Sequence, residues 1–269
     1  LTPATDRIAL ETLRGIVDRP DYTPGRPARL AVPLADLMNV PEGRRERQLN
    51  FGADLTVIDT QGDWVFAQAA MDGYCGWLRA AALSDDMPPI THRVTAPATH
   101  LYPAADMKRH QLHALSIGAR LSVVEVEGNF ARLAAGGYVP VQHIGDRPAT
   151  DPIAVAETLL GTPYLWGGNS AFGIDCSGLV EAGCLACGIP CPGDSDLQEA
   201  ALGTTLPDGT PPQRGDLLFW KGHVAWVAGP DTLVHANAHH MAVALEALQG
   251  AINRIAAQGD GPVTRHARL

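Results

Sequence analysis

Between Arg44 and Tyr138 the chain writes one pattern twice, and that repetition limits the possible folds more than any other feature of the sequence. R-R-E-R-Q-L-N-F-G-A-D-L-T-V-I-D-T-Q-G-D-W-V-F-A, from Arg44, runs parallel to R-H-Q-L-H-A-L-S-I-G-A-R-L-S-V-V-E-V-E-G-N-F-A-R-L, from Arg109. Gly52 aligns with Gly118, Leu55 with Leu121, Val57 with Val123, Gly62 with Gly128 and Trp64 with Phe130, all at one offset. After a small shortening, Gly73-Tyr74 aligns with Gly137-Tyr138. In each copy short alternating runs are separated by glycine-containing turns. Leu55, Val57 and Asp59 share one strand face, and Trp64, Phe66 and Gln68 form the next run after the Gly62-Asp63 turn. Many short strands within each copy predict two small barrels, over 28–86 and 87–147. Ahead of them, residues 1–27 form a separate segment, in which Arg7 to Val17 reads as a short helix ended by the proline- and glycine-containing stretch Pro20 to Pro27.

Beyond Arg147-Pro148-Ala149-Thr150-Asp151-Pro152, a linker or helix start, the period changes. Ile153 to Leu160 looks helical, a glycine-rich turn follows, a second helix begins near Ser177, and several apolar strands come after it. Residues 148–269 therefore read as a single α+β domain. The whole chain, at 46% hydrophobic and 18% charged residues, has the composition of a folded protein rather than a disordered one. A net charge of −9 and a pI near 5.5 argue against general affinity for nucleic acid or an anionic membrane surface. No apolar run is long enough for a transmembrane helix, and Leu1 to Leu10 lacks the pattern of a signal peptide.

The five cysteines, Cys75, Cys176, Cys184, Cys187 and Cys191, do not form a disulfide framework. C-x-x-C-x-x-x-C from Cys184 offers three thiols but no fourth ligand at zinc-finger spacing. His235 and His239 lie four apart, which aligns two rings only on a helix, and this stretch reads as a strand. No metal and no cofactor is expected. Cys176 stands apart from the other thiols. A glycine- and aromatic-rich loop, Gly161-Thr162-Pro163-Tyr164-Leu165-Trp166-Gly167-Gly168, leads through Asn169 to Ile174 into Asp175-Cys176-Ser177-Gly178-Leu179-Val180. An apolar helical pattern follows, so Cys176 falls at a helix N-terminus with Asp175 as its N-cap. Free amides and the helix dipole there favour a thiolate, with a pKa lowered to roughly 3.5–7.5 in such settings.

A thiolate nucleophile works with an imidazole. Gly215-Asp216-Leu217-Leu218-Phe219-Trp220 and His223-Val224-Ala225-Trp226-Val227 flank Lys221-Gly222, which reads as a hairpin with His223 opening its second strand. Leu233-Val234-His235-Ala236-Asn237 reads as a third strand. Antiparallel pairing makes His223 and His235 neighbours, one to accept the thiol proton and the other to orient it.

G-T-P-Y-x-W-G-G, D-C-S-G-L-V, G-D-L-L-F-W and G-H-V-A-W-V, in that order, resemble the NlpC-type cysteine peptidases, papain-like enzymes of bacterial cell-wall turnover; the resemblance spans about 155 to 246. It implies Cys176 as nucleophile, His223 as base and His235 as the orienting third residue. The repeats, with Gly73-Tyr74-Cys75-Gly76-Trp77-Leu78 in the first, resemble bacterial SH3-like domains. Together they are similar to the gamma-D-glutamyl-L-diamino-acid endopeptidases, which release L-Ala-D-Glu from muropeptides and whose first SH3-like domain caps the cleft. That resemblance implies substrate binding by Asp194 and Ser195 of Asp194-Ser195-Asp196-Leu197-Gln198, by Ser177, and by Tyr74 of the capping barrel. A second carboxylate is expected after the glycine of the barrel's first strand. The sequence has Ala53 there, with Asp54 beside it.

Two other functions are open: wall binding without catalysis, in which the paired barrels bind peptidoglycan and the C-terminal domain is a relic, and amidase or acyl-transfer chemistry on the same cysteine. The expected partners are peptidoglycan fragments, ending in either meso-diaminopimelate or L-Lys. A free-amine-selective cleft favours small fragments and a cytoplasmic recycling role. The cell envelope is the alternative if a signal peptide has been removed. The sequence leaves the oligomeric state open.

Overall fold

The computed structural model describes residues 2–269, which divide into two compact units, one ending at Asp146 and the other beginning at Arg147. In the first unit, the described residues form a seven-stranded antiparallel sheet in the order Arg45–Asn50, Leu34–Met38, Cys75–Arg79, Trp64–Ala69, Asp54–Gln61, Arg26–Leu30, Leu83–Ser84. Leu30, Leu37, Leu49, Leu55, Val65 and Leu78 form its core. The second copy is built of shorter strands from His92 to Gly145 around Val94, Leu101, Leu115, Leu121, Leu133 and Val139.

The sequence repeat is a repeat of backbone conformation. Gly52 and Gly118 have φ of 78° and 81°, Gly62 and Gly128 have 57° and 58°, and Gly73 and Gly137 have 76° and 82°, all in the left-handed region that favours glycine. The strand after the first of these glycines carries a bulge at Val57–Asp59 in one copy and at Val123–Glu125, its aligned position, in the other. Each copy closes with a 3₁₀ turn and a short strand, Ala80–Ala82 then Leu83–Ser84, and Val141–His143 then Ile144–Gly145.

Residues 7–17 are not a helix. Ile8–Leu10 is a strand, paired in parallel with Asp21–Thr23, and only a single 3₁₀ turn, Glu11–Leu13, follows. Tertiary contacts override local preference here. The Arg7 guanidinium reaches Asp59 at 2.7 Å and the Thr5 hydroxyl donates to the same carboxylate at 2.8 Å, holding the segment extended against the first barrel. Gly15, at φ 83°, breaks any continuation.

Asp54 does not stand free for a substrate amine. Its carboxylate accepts from Arg29 Nε and Arg120 Nη1, both at 2.7 Å, so it ties the first SH3-like copy to the second. These guanidiniums hold Asp54 below the usual carboxylate range against the opposing effect of burial. Asp54→Ala is expected to destabilise this unit by about 1–2 kcal/mol, a discounted figure because Arg120 is partly solvated. The stabilisation is present above the unfolded carboxylate pKa of about 3.9 and is lost as pH falls through the lower folded value. The gap between thermal melts of wild type and variant should therefore narrow as pH falls below about 3.9, and a gap that does not change on acidification would contradict the assignment.

The second unit contains helix α1 (Pro152–Glu157), the hairpin β1 (Asn169–Ser170) and β2 (Gly173–Ile174), helices α2 (Cys176–Ala186) and α3 (Ser195–Ala201), strands β3 (Thr204–Thr205), β4 (Asp216–Trp220), β5 (His223–Gly229), β6 (Thr232–Asn237) and β7 (Ala242–Ala247), helix α4 (Leu248–Gln258) and strand β8 (Arg265–Arg268). Among the described residues these form a six-stranded sheet in the order β3-β8-β4-β5-β6-β7. Its central strands are apolar on both faces because helices cover both. Leu218, Trp220, Ala225, Val227 and Leu233 pack with Ala251 and Ile255 of α4, while α1 and α2 lie against β5 and β6. Strand β8, with no strong sequence signal, is anchored by the buried Asp216, which accepts from Arg268 at 2.7 and 2.8 Å and contacts His266 Nε2 at 2.8 Å. No helix among the described residues is long and apolar enough to cross a membrane.

Candidate active site

The loop before Cys176 is tied down by buried polar contacts. Asp175 caps α2, accepting from Gly178 N at 2.7 Å and Ser177 Oγ at 3.0 Å through one oxygen, and from Gly167 N at 2.8 Å through the other. Asn169 Nδ2 donates to the buried Glu181 of α2 at 2.9 Å. A Cβ at Gly178 would lie 2.6 Å from the Gly168 carbonyl oxygen, so only glycine lets the first turn of α2 approach this loop. Cys176 is the first residue of α2 and is 7% exposed. Its sulfur accepts from the backbone amides of Val224, Ser177 and Cys176 itself. The Val224 contact places the sulfur beside the residue that follows His223.

Strands β4 and β5 pair with Trp220 opposite His223 across the two-residue Lys221-Gly222 turn, in which Gly222 adopts φ 73°. Strand β6 is antiparallel to β5, with Trp226 opposite Val234. Alternation from Ala225 and Leu233 puts His223 and His235 on the sheet face that α4 covers, one diagonal apart. His223 Nε2 lies 2.9 Å from His235 Nδ1, and His235 Nε2 lies 3.0 Å from Glu246 Oε2. Glu246, on β7, accepts from Arg254 of α4 at 2.9 and 2.8 Å.

The pocket opposes the thiolate expected at a helix N-terminus. Burial first, and then the Asp175 carboxylate, push the Cys176 thiol up to about 12, outweighing the amides. Burial also pushes His223 down to about 3 and His235 down to about 4. Both shifts favour the neutral thiol and the neutral imidazole over the ion pair. Iodoacetamide should therefore alkylate Cys176 in the free protein no faster than free cysteine at pH 7, with the rate still climbing above about pH 9. A plateau already reached by about pH 6 would show a resting thiolate–imidazolium pair. The two depressed imidazoles also act on stability. Below the unfolded histidine pKa of about 6.5 the unfolded chain takes up protons that the folded rings refuse, so stability falls as pH drops towards the folded values.

Tyr164 stays protonated, its phenol pushed up by burial and then by the charges of Cys176 and Asp175. Trp166, two residues on, is 51% exposed. Ser177 is buried against Asp175. Asp194 holds the N-cap position of α3 without capping it, and Ser195 is the first residue of that helix; both are half-buried. The buried Gln198 donates through Nε2 to Ser177 O at 2.9 Å and Pro192 O at 2.8 Å, which secures the Asp194-Ser195 turn to the start of α2. The structure thus brings Cys176, His223, His235, Ser177, Asp194 and Ser195 into one domain. Tyr74 lies in the other unit, 8% exposed within the core of its barrel, its N–H donating to Asp72 at 3.0 Å. Glu246 and Arg254 were not among the residues the sequence singled out. The available signal was weak: Glu246 alternates in phase with Ala244 in an otherwise apolar strand, and Arg254 sits a full helical segment away.

Residues 161–255 match the NlpC/P60 family, and residues 37–83 match the bacterial dipeptidyl-peptidase SH3 domain. The chain belongs to the NlpC/P60 family and is a cysteine-type peptidase. It is 40% identical over 237 residues to dipeptidyl-peptidase 6 of Lysinibacillus sphaericus, covering 76% of this chain and 85% of that one. It is 30% identical over 220 residues to the gamma-D-glutamyl-L-lysine dipeptidyl-peptidase of Bacillus subtilis (strain 168), covering 71% of this chain and 72% of that one. An NlpC/P60 family protein from Bacillus cereus ATCC 10987 shares the fold, with a TM-score of 0.76 at 23% identity over 90% of this chain and 99% of that one.

Proposed function

We propose that this peptidase hydrolyses the gamma-D-glutamyl–diamino-acid bond of peptidoglycan-derived peptides that carry a free N-terminal L-Ala. The observation that carries the reading is the buried Cys176 sulfur at the start of α2, hydrogen-bonded by the Val224 amide next to an imidazole pair. Relatives named for gamma-D-glutamyl-L-lysine bonds, at 30% identity over most of their length, support the substrate class.

In this reading the Cys176 thiol gives its proton to His223 as sulfur bonds to the gamma-carbonyl carbon. Amides at the start of α2 stabilise the oxyanion. The C–N bond then breaks, and the diamino acid leaves with the proton from His223. Water, deprotonated by the same imidazole, hydrolyses the thioester, frees L-Ala-D-Glu and restores the thiol. His235 orients His223. Asp194 pairs with the substrate ammonium, with Ser195 and Ser177 completing the binding set within the catalytic domain. An unpaired ammonium in a closed cleft is costly, so the carboxylate sets the selectivity. With Ala53 and the arginine-bound Asp54 both unsuited to that task, Asp194 carries it. A free-amine requirement suits small soluble fragments and a recycling role in the cytoplasm.

Chromatography of products from L-Ala-gamma-D-Glu-meso-diaminopimelate and its L-Lys analogue tests the bond. L-Ala-D-Glu is the expected product, and amide transfer without dipeptide release would point to acyl-transfer chemistry instead. Acetylation of the L-Ala amine is expected to lower kcat/KM by about 10²–10³-fold, the scale of an ion pair lost in a desolvated site. Equal rates for free and acetylated peptides would remove the amine argument.

A further inference from the structure

Two imidazoles in contact carry a question that distance alone does not answer: which nitrogen donates. Four tautomer combinations are open to a neutral pair, and only those leaving a bare nitrogen of His223 towards the thiol give a base. His223 Nε2 faces His235, so the base must be Nδ1, and the proton must sit on Nε2.

The far end of the chain of contacts supplies the polarity. Arg254 only donates, and it grips both oxygens of Glu246, Nε to Oε1 at 2.9 Å and Nη2 to Oε2 at 2.8 Å. The guanidinium, with a further contribution from His235, pulls Glu246 down to about 2 against its burial, so the group is a carboxylate and only accepts. Its Oε2 lies 3.0 Å from His235 Nε2, which must therefore carry hydrogen. Neutral His235 then has a bare Nδ1. The 2.9 Å contact between that nitrogen and His223 Nε2 requires the hydrogen on His223 Nε2. His223 Nδ1 is left with its lone pair. When Nδ1 takes the thiol proton, nothing in the relay has to turn over. The imidazolium already donates to His235, which already donates to the carboxylate.

We infer that Glu246, clamped by Arg254, is a positioning residue that fixes the tautomers of His235 and His223 and thereby presents a bare His223 Nδ1 to Cys176. The inference rests on the peptidase reading of Cys176 and His223, but its decisive readout does not need turnover.

Glu246→Gln reverses the polarity at nearly constant shape. Arg254 claims the amide oxygen, the amide NH₂ faces His235 Nε2, and both rings are driven to carry hydrogen on Nδ1. In a serine protease triad the equivalent carboxylate-to-amide change lowers kcat by about 10⁴ through the wrong tautomer. For Glu246→Gln a kcat loss of about 10³–10⁴-fold with little change in KM is expected by that analogy. Arg254→Gln removes the clamp but leaves a carboxylate to accept from His235, so a loss of only about tenfold is expected, within the range for a partner that supports an orienting group. If the ion pair were merely structural, the two variants would be equally impaired.

The direct test is long-range ¹H–¹⁵N correlation NMR of histidine-¹⁵N-labelled protein near pH 7. Wild type should show His223 and His235 protonated at Nε2 and bare at Nδ1, and Glu246→Gln should show both protonated at Nδ1. Wild-type rings protonated at Nδ1, or a Glu246→Gln variant with unchanged tautomers and kcat, would overturn the inference. If Glu246→Gln fails to fold, the wild-type tautomers together with the kcat of Arg254→Gln still decide it. If wild type shows the expected tautomers yet cleaves none of the muropeptides, the proposed substrate fails and the positioning role stands.

Discussion

Replacement of Cys176 by alanine should lower dipeptide release by at least about 10⁴-fold while leaving the fold in place, because the sulfur is the atom that the whole mechanism bonds to. That loss corresponds to about 5 kcal/mol of transition-state stabilisation. His223→Ala should cost a similar factor, and the double variant little more than either alone, since residues acting on one proton transfer are not additive. Cys176 is small and lies at the first position of α2, so its truncation removes one sulfur's packing and the acceptor of the Val224 and Ser177 amides, while the hydrogen bonds of Asp175, Gln198 and Glu181 that hold the site stay in place. A melting temperature within a few degrees of wild type is expected. The measurement is kcat/KM on L-Ala-gamma-D-Glu-meso-diaminopimelate for the three variants. More than a hundredth of wild-type activity in Cys176→Ala, with contamination excluded by a second preparation, would place the chemistry elsewhere.

Gly178→Ala is expected to impair stability and rate together, and it acts without touching a reacting atom. The added Cβ would sit 2.6 Å from the Gly168 carbonyl oxygen and 3.2 Å from Asp175 Oδ1. Backbone cannot yield as a flexible side chain does, so α2 must move away from the 167–168 loop and carry Cys176 with it. Overpacking of this kind costs about 1–3 kcal/mol of stability. Displacement of a nucleophile by an ångström costs about 10²-fold in rate. Gly250→Ala is the contrast. It lies in α4, where the new Cβ would meet only Ala247 Cβ at 3.7 Å. There the ordinary helix preference for alanine should stabilise the protein by about 0.5–1 kcal/mol and leave kcat unchanged. Equal thermal and kinetic behaviour of the two variants would mean that Gly178 is not a packing constraint on the nucleophile.

Much of this site was legible in the sequence because its parts are local. Asp175 before a helical pattern, the Lys221-Gly222 turn between two apolar runs, and the alternation around His235 each fixed an element and the direction of one side chain. The two SH3-like copies were equally open to reading, since glycines at forced φ values recur where the backbone repeats. What escaped depends on contacts distant in sequence. The first residues look helical until Asp59 claims Arg7 and Thr5. Asp54 looks available until Arg29 and Arg120 take both its oxygens. The upward push on the Cys176 thiol was hidden for a related reason. Helix position is visible in a sequence, whereas the depth of burial and the carboxylate of Asp175 packed against the same turn are properties of the folded chain. Glu246 acquires its meaning only when β7 and α4 bring it between Arg254 and His235.

Rapid acid quenching during turnover, followed by proteolysis and mass spectrometry, tests the covalent role of Cys176 most directly. A single L-Ala-D-Glu acyl group on the fragment containing Cys176, appearing within the first turnover and removed by hydroxylamine, is the result expected for a thioester intermediate. Full dipeptide release with that fragment unmodified at every quench time, and the acyl group found on another residue, would contradict it.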